Sequence, residues 1–333
     1  MKKRFLSFGS IGQYKEVIRE ISSAADYSGN DELGNPIYIS QEKPILKVEG
    51  TIKLHGTNGG ISYNPITGLF TQSRKQLLVG KDNYGFNAFV MANKEYFEST
   101  MINLHSKYCK EDEFITLFGE WAGQGILGGT AIAQLPKSFY VFDCRVHSET
   151  KEECIDIKDW SFHYENVMNI YNFPTFSLDI DFNNPALVQN KLGELTQEVE
   201  DECPVASKLG VKGIGEGIVW RVFWKGKRFI FKVKGQKHSV SKVKKLAPVN
   251  EEVLNSINAF VEYACTENRI EQGIAETNAA DFKDISNVIR WIAKDIIKEE
   301  NNALEANGLT WKQVAKPVAN KTRNYFINKI RQV

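Results

Sequence analysis

Cysteine is scarce in this 333-residue chain: Cys109, Cys144, Cys154, Cys203 and Cys265 form no CxxC pair and no close cluster. That low, odd count argues against a disulfide scaffold and against a zinc site, and fits a reduced, cytosolic protein with buried thiols. Long apolar runs are missing as well. None approaches the ~18 residues that span a bilayer, so no membrane partner is expected. The start, Met1-Lys2-Lys3-Arg4, carries the charge of a signal peptide. The stretch after it is broken by Ser7, Gly9, Ser10 and Gly12, which rules that reading out. Net charge is only +1, so no global field marks a nucleic-acid binder, and any basic surface must arise from local clustering. Repeats and low-complexity tracts are absent. What remains is globular composition, 42% apolar and 25% charged, in a length sufficient for two domains.

Residues from about 45 to 240 read as mostly β with interspersed helix. Pro44–Val48, Gly60–Tyr63, Phe114–Phe118, Ser138–Phe142, Gly217–Phe223 and Arg228–Val233 are short, rich in β-branched and aromatic residues, and bounded by turn formers. Trp224-Lys225-Gly226-Lys227 reads as the hairpin turn between the last two. Beyond Pro248 the pattern changes. Ile285, Val288, Ile289, Ile292 and Ile296 follow helical spacing, Val253–Tyr263 and Trp311–Ile330 read as helices, and Pro317 starts or kinks the last. The class is α+β, with a domain over 1–245 and a small all-helical domain over 246–333.

The strongest local signal is Lys53-Leu54-His55-Gly56-Thr57-Asn58. A protonated amine is a poor nucleophile, but burial or nearby cations free its lone pair. Gly56 would let a nucleotide approach the backbone. Alone this segment reads as a surface lysine at a strand end. Other strand ends change that. Phe118-Gly119-Glu120 places a carboxylate after an apolar strand, Phe139-Tyr140-Val141-Phe142-Asp143 ends in an aromatic and an acid, Glu216-Gly217-Ile218-Val219-Trp220 opens with an acid, and Phe231-Lys232-Val233-Lys234 closes with two lysines. Lys232 and Lys234 share a strand face, and side-by-side cations facing a core need an anion, which a triphosphate supplies. The Gly123–Gly129 stretch lacks the Gly-Lys-Ser/Thr ending of a P-loop and reads as a flexible loop.

Taken in order, KLHGTN, SRK around Arg74, FGE, FYVFD, EGIVW and FKVK resemble the nucleotidyltransferase motifs of covalent polynucleotide ligases and capping enzymes. His55, Thr57-Asn58 and the FYVFD form resemble the RNA ligase 2 family in particular, over residues 45–240. Relatives often carry charge just before the motif lysine, where this chain has Gly50-Thr51-Ile52. The resemblance implies an ATP-grasp-like ligase adenylation domain of antiparallel sheets. It implies an ATP-dependent RNA ligase that forms lysyl-AMP on Lys53, adenylates RNA 5′-phosphates and seals them to 3′-hydroxyls, at nicks in duplex RNA. It further implies that Phe142 stacks on adenine with Ile218 or Val219 opposite, that Ile52 borders the nucleotide, and that Glu120 and Asn58 hold the ribose. Lys232 and Lys234 would orient the α-phosphate. Glu216, with Glu120, would place Mg²⁺, for which Mn²⁺ substitutes. His55 would position phosphates or metal-bound water, Arg74 would touch the nucleotide or the RNA end, and Asp143 would orient its neighbours. No obligate protein partner is implied, and the location would be cytoplasmic, the host's if the chain is phage-encoded.

From Gly217 to Asn250 there are ten Lys or Arg residues and no acid. Lys242, Lys244 and Lys245 are candidates to track RNA phosphates. Trp220, Phe223 and Trp224, interleaved with them, read as core. A guanylyltransferase or DNA ligase would carry more short strands after the fifth motif, where this tail reads helical. A non-catalytic RNA binder would not need every motif lysine and carboxylate.

Overall fold

A computed structural model describes residues 2–235, 251–277 and 279–332. Helix α1 (Tyr14–Asp26) leads into the hairpin β1 (Tyr27–Asn30) and β2 (Pro36–Tyr38), then β3 (Ile45–Lys53), β4 (Thr57–Asn64) and β5 (Gly68–Ser73). Helices α2 (Phe86–Ala92) and α3 (Lys94–Tyr108) precede β6 (Phe114–Ala122), β7 (Ser138–His147), β8 (Glu152–Ile155), β9 (Val167–Asn169) and β10 (Thr175–Asp181). Next come α4 (Gln189–Asp201), α5 (Pro204–Lys208), β11 (Gly217–Trp224) and β12 (Lys227–Lys234). The tail is α6 (Glu251–Ala264), α7 (Glu267–Glu276), α8 (Ile285–Ala306) and α9 (Trp311–Gln332). Pro317 lies inside α9 rather than at its start.

The residues fall into two compact units. One holds Met1–Val17, Leu46–Ile180 and Lys191–Lys245, the other Ile18–Ile45, Asp181–Asn190 and Leu246–Val333. The first is built on two largely antiparallel sheets, ordered β10-β3-β11-β12 and β5-β4-β6-β7-β8, with β9 parallel to β7. The central strand β6 is apolar along most of its length because both its faces are covered. Its core face joins Phe139, Val141, Cys144 and Val146 of β7 and Phe86, Val90, Phe97 and Met101 of α2 and α3. The β11–β12 turn sits at Lys225 and Gly226, with φ of 48° and 71°, the positive pair that a two-residue hairpin requires. Trp220 is fully buried, as expected, whereas Phe223 is 61% exposed at the hairpin end. In the second unit Val288, Ile292 and Ile296 of α8 pack with Val314, Val318 and Phe326 of α9. Among the described residues no helix is long and apolar enough to cross a membrane, and all five cysteines are free thiols.

One β7 residue ties stability to pH. His147 is buried, stacks on Phe114 with ring centroids 5.4 Å apart, and ends a chain from Ser62 Oγ to Thr116 Oγ1 (2.8 Å) to its own Nε2 (2.9 Å). Burial, with Arg4 and Arg145 nearby, pushes its pKa down to about 4. The ring is near 6.5 when unfolded, so its contribution is complete above that pH and is lost as pH falls toward the folded value. Denaturant titrations should therefore show about 3 kcal/mol of stability disappearing between those pH values, and His147→Gln should flatten that part of the curve. An identical acid limb in the variant would contradict this assignment.

Candidate active site

The pleat of the four-stranded sheet lays out a floor in rows. Residues opposite one another on antiparallel strands share a face, and alternate residues return to it. Lys53, Gly217 and Lys234 form one row, and Thr51, Val219 and Lys232 the next. Glu49, Arg221 and Ile230 form the third. On the six-stranded sheet Asn58, Glu120 and Tyr140 form a facing row. Between the sheets lies a cavity of about 380 Å³, within the range of small-ligand sites.

At the first row the carboxylate of Glu216, the residue before Gly217, sits between two lysines. Its oxygens lie 2.6 Å from Lys53 Nζ and 2.6 Å from Lys234 Nζ, and His55 Nδ1 is 3.4 Å away. Burial would raise this carboxyl, but Lys53 and Lys234 hold it below the usual carboxylate range. Lys53 Nζ also donates to Leu54 O at 3.3 Å. Glu120 Oε1 accepts the Gly56 N–H at 3.0 Å. Gly56 is needed for a different approach from the one expected: a Cβ there would come 2.4 Å from Trp121 O, so it admits the chain's own β6 backbone. Burial, with Glu216 adding to it, pushes Glu120 up to about 7 against the pull of Lys53 and Arg74. Burial and then Lys234, Lys53 and Arg74 lower Lys232.

A β-bulge shapes the other wall. Phe118 pairs with Asp143 and Gly119 with Val141, leaving Phe142 unmatched. The slip turns both Phe142 and Asp143 toward the cavity, although neighbours on a regular strand face opposite ways. Asp143 is buried and receives Arg145 Nε at 2.9 Å and Arg228 Nη1 at 2.6 Å. Arg221 donates to Phe142 O at 3.0 Å and to Thr51 Oγ1 at 3.2 Å, and also bonds the Tyr171 hydroxyl.

Of the residues singled out from sequence, Ile52, Lys53, His55, Asn58, Arg74, Glu120, Phe142, Asp143, Glu216, Lys232 and Lys234 all border this cavity. Ile218 does not. It belongs to the opposite sheet face, fully buried and close to Gly50, and Val219 takes the cavity position. Lys242, Lys244 and Lys245 lie outside the described residues. Sequence reasoning passed over Phe8, Thr51, Arg221 and Arg228, which also line the cavity. Arg221 had a signal, since it stands two and four residues beyond Val219 and Gly217 on one strand face. Phe8, far from every motif, had none.

The six cations Lys53, Arg74, Arg221, Arg228, Lys232 and Lys234 face three acids, Glu120, Asp143 and Glu216, a formal excess of three positive charges that grows where Glu120 is protonated. Such a pocket suits a polyanion, with a row of amines at one end and an aromatic ring at the other.

The RNA ligase family profile matches residues 46–234, more than half of the chain. No curated protein matches at the sequence level. Among solved structures, Naegleria gruberi RNA ligase with PPi is similar at 18% identity and a TM-score of 0.39, over 70% of this chain and 57% of that one. Mutants of the same ligase with ATP and Mn, and with AMP and Mn, give TM-scores of 0.42 and 0.41 at 18% identity, with the same coverage. The chain thus spans a little over half the length of these structures.

The raised Glu120 carboxyl has a measurable cost. It stays protonated in the fold up to about pH 7, whereas the unfolded group ionises near 4.3, so stability should fall as pH climbs between the two. Glu120→Gln keeps an acceptor for Gly56 and should be more stable than the parent at pH 8 by up to about 3 kcal/mol, with the gap closing below pH 4. Melting temperatures of both proteins across that range test the sign.

Proposed function

For a chain that belongs to the RNA ligase family, we propose ATP-dependent joining of RNA ends through a covalent lysyl-AMP on Lys53. The observation that carries this reading is the position of one amine. Lys53 Nζ sits in a cavity with excess positive charge, 2.6 Å from a carboxylate that Lys234 shares.

In the first step the Lys53 amine attacks the α-phosphorus of ATP, and a phosphoramidate forms as pyrophosphate leaves. The RNA 5′-phosphate then attacks the same phosphorus, taking AMP and freeing the amine. Last, a 3′-hydroxyl attacks the RNA phosphate and AMP departs. All three are phosphoryl transfers, in which positioning and charge neutralisation dominate. Lys232, Lys234 and Arg74 supply positive charge to the phosphates. Phe142 offers a ring to the base, with Val219 on the floor opposite. Asn58 and Glu120 face the ribose. Glu216 holds Lys53 at 2.6 Å and must release it for attack.

Among the described residues no group of three or more His, Cys, Asp or Glu side chains gathers into a metal cage. Two carboxylates, Glu216 and Glu120, suit an ion that keeps most of its water and leans on substrate phosphates, as Mg²⁺ does. Bound there, the ion would neutralise charge on the phosphates. Mn²⁺ should substitute.

The helical segment over 246–333 is proposed to dock RNA, with a nicked duplex as the favoured substrate and repair of RNA breaks as the role. Helix α9 carries no acidic residue, and Lys312, Lys316 and Arg323 are exposed at spacings that put them on one face. Lys242, Lys244 and Lys245 are proposed for the same track.

Two outcomes are expected. Labelled ATP should leave a covalent label on the parent and none on Lys53→Ala, which should also seal no nicked RNA; a label from GTP instead, or equal sealing by the variant, would overturn the reading. Replacing Lys312, Lys316 and Arg323 with Ala should weaken nicked-RNA binding and reduce the slope of log K against log salt by about 2–3. An unchanged slope would remove α9 from the RNA track.

A further inference from the structure

Phe142 is the aromatic wall of the cavity, yet the bulge leaves it outside the regular pairing with β6. Its position is fixed instead by ionic contacts reaching from the opposite sheet. Arg221 of β11 donates to its carbonyl at 3.0 Å. The carboxylate of the next residue, Asp143, receives Arg228 of β12 at 2.6 Å and Arg145 of β7 itself at 2.9 Å. Asp143 is 4% exposed. A carboxylate buried that deeply holds its geometry only while its cationic partners remain, and removing one partner leaves an uncompensated charge.

Resting on the reading of this cavity as a nucleotide site, we propose that Asp143 and Arg228 are positioning residues whose ion pair clamps the β7 bulge to β12 and so presents the Phe142 ring to the base of the nucleotide. The clamp is remote from the reacting atoms. Arg228 stands six residues before Lys234 on β12, about 20 Å of strand at about 3.3 Å per residue. The pair therefore sets how tightly and in what orientation the base is held, and takes no part in phosphoryl transfer. Arg145 supports it from within β7, its other end held 2.5 Å from Glu152.

The test uses the full chain and 2-aminopurine riboside triphosphate, whose fluorescence is quenched when its base stacks on an aromatic ring. The parent should quench it, and Phe142→Ala should not. Asp143→Asn and Arg228→Gln should lose most of the quenching and raise the KM for ATP in Lys53 labelling by about tenfold or more, with the rate at saturating ATP within about threefold of the parent. Arg228→Lys should recover part of the loss. A collapse of the saturated rate at unchanged KM would overturn the proposal, as would parent-like quenching and KM in both variants. If Asp143→Asn does not fold, Arg228→Gln decides alone, because it leaves Asp143 paired with Arg145. Failure of the nucleotide reading looks different: the parent itself would neither quench the probe nor take the label.

Discussion

The buried carboxylate of Glu216 holds the reactive end of this molecule together. It takes Lys53 on one side and Lys234 on the other, with His55 alongside. Each lysine comes from a different strand, and the strands are neighbours of β11 on either side. Two ammonium groups in one row of a sheet face repel, and burial would make that repulsion severe without an anion between them. A nucleoside triphosphate was the anion expected for Lys232 and Lys234. For Lys53 and Lys234 the protein supplies an anion of its own in Glu216. Gly217 stands beside this contact for a backbone reason: its φ is 148°, and a Cβ there would come 2.2 Å from Val233 O of β12.

From that end the cavity grades along the strands. The row of Lys53 and Lys234 gives way to Thr51, Val219 and Lys232, and then to Arg221 beside the aromatic Phe142. The order follows from period-two alternation on three paired strands, and it matches the order of parts in a nucleoside triphosphate: phosphates, sugar, base. Electrostatics and shape thus run in the same direction. The second sheet adds what the first lacks, the aromatic ring of Phe142 and the polar pair Asn58 and Glu120. Its bulge at Phe142 places an aromatic and an acid side by side on one face, which a regular strand does not allow.

Much of this was legible in the chain. The strand ends carrying Glu120, Glu216, Lys232 and Lys234 were readable because each joins an apolar run to a charged residue, and the helical tail because its apolar spacing is strong. Ile218 was misplaced for a local reason. Without knowing which face of β11 looks inward, Ile218 and Val219 are equivalent, and pairing of Val219 with Thr51 and Lys232 decides between them. Arg221 and Arg228 were counted only as members of a basic run expected to track RNA phosphates, although both end up bonded beside the cavity. Phe8 was invisible, because only folding brings it against Phe118 and Phe142, at 5.3 and 5.0 Å between ring centroids.

The chain by itself determined which acids and lysines stand at the ends of apolar strands, which segments are strands or helices, and that charge had to cluster locally in a nearly neutral protein. Those properties depend on residue type and on spacing over a few positions, and both are written along one dimension. The tertiary structure decided which lysines share a carboxylate, which face of each strand looks into the cavity, and what holds the aromatic wall. Those depend on register between strands up to 163 residues apart in sequence, as Lys53 and Glu216 are, and a one-residue slip in register changes every answer.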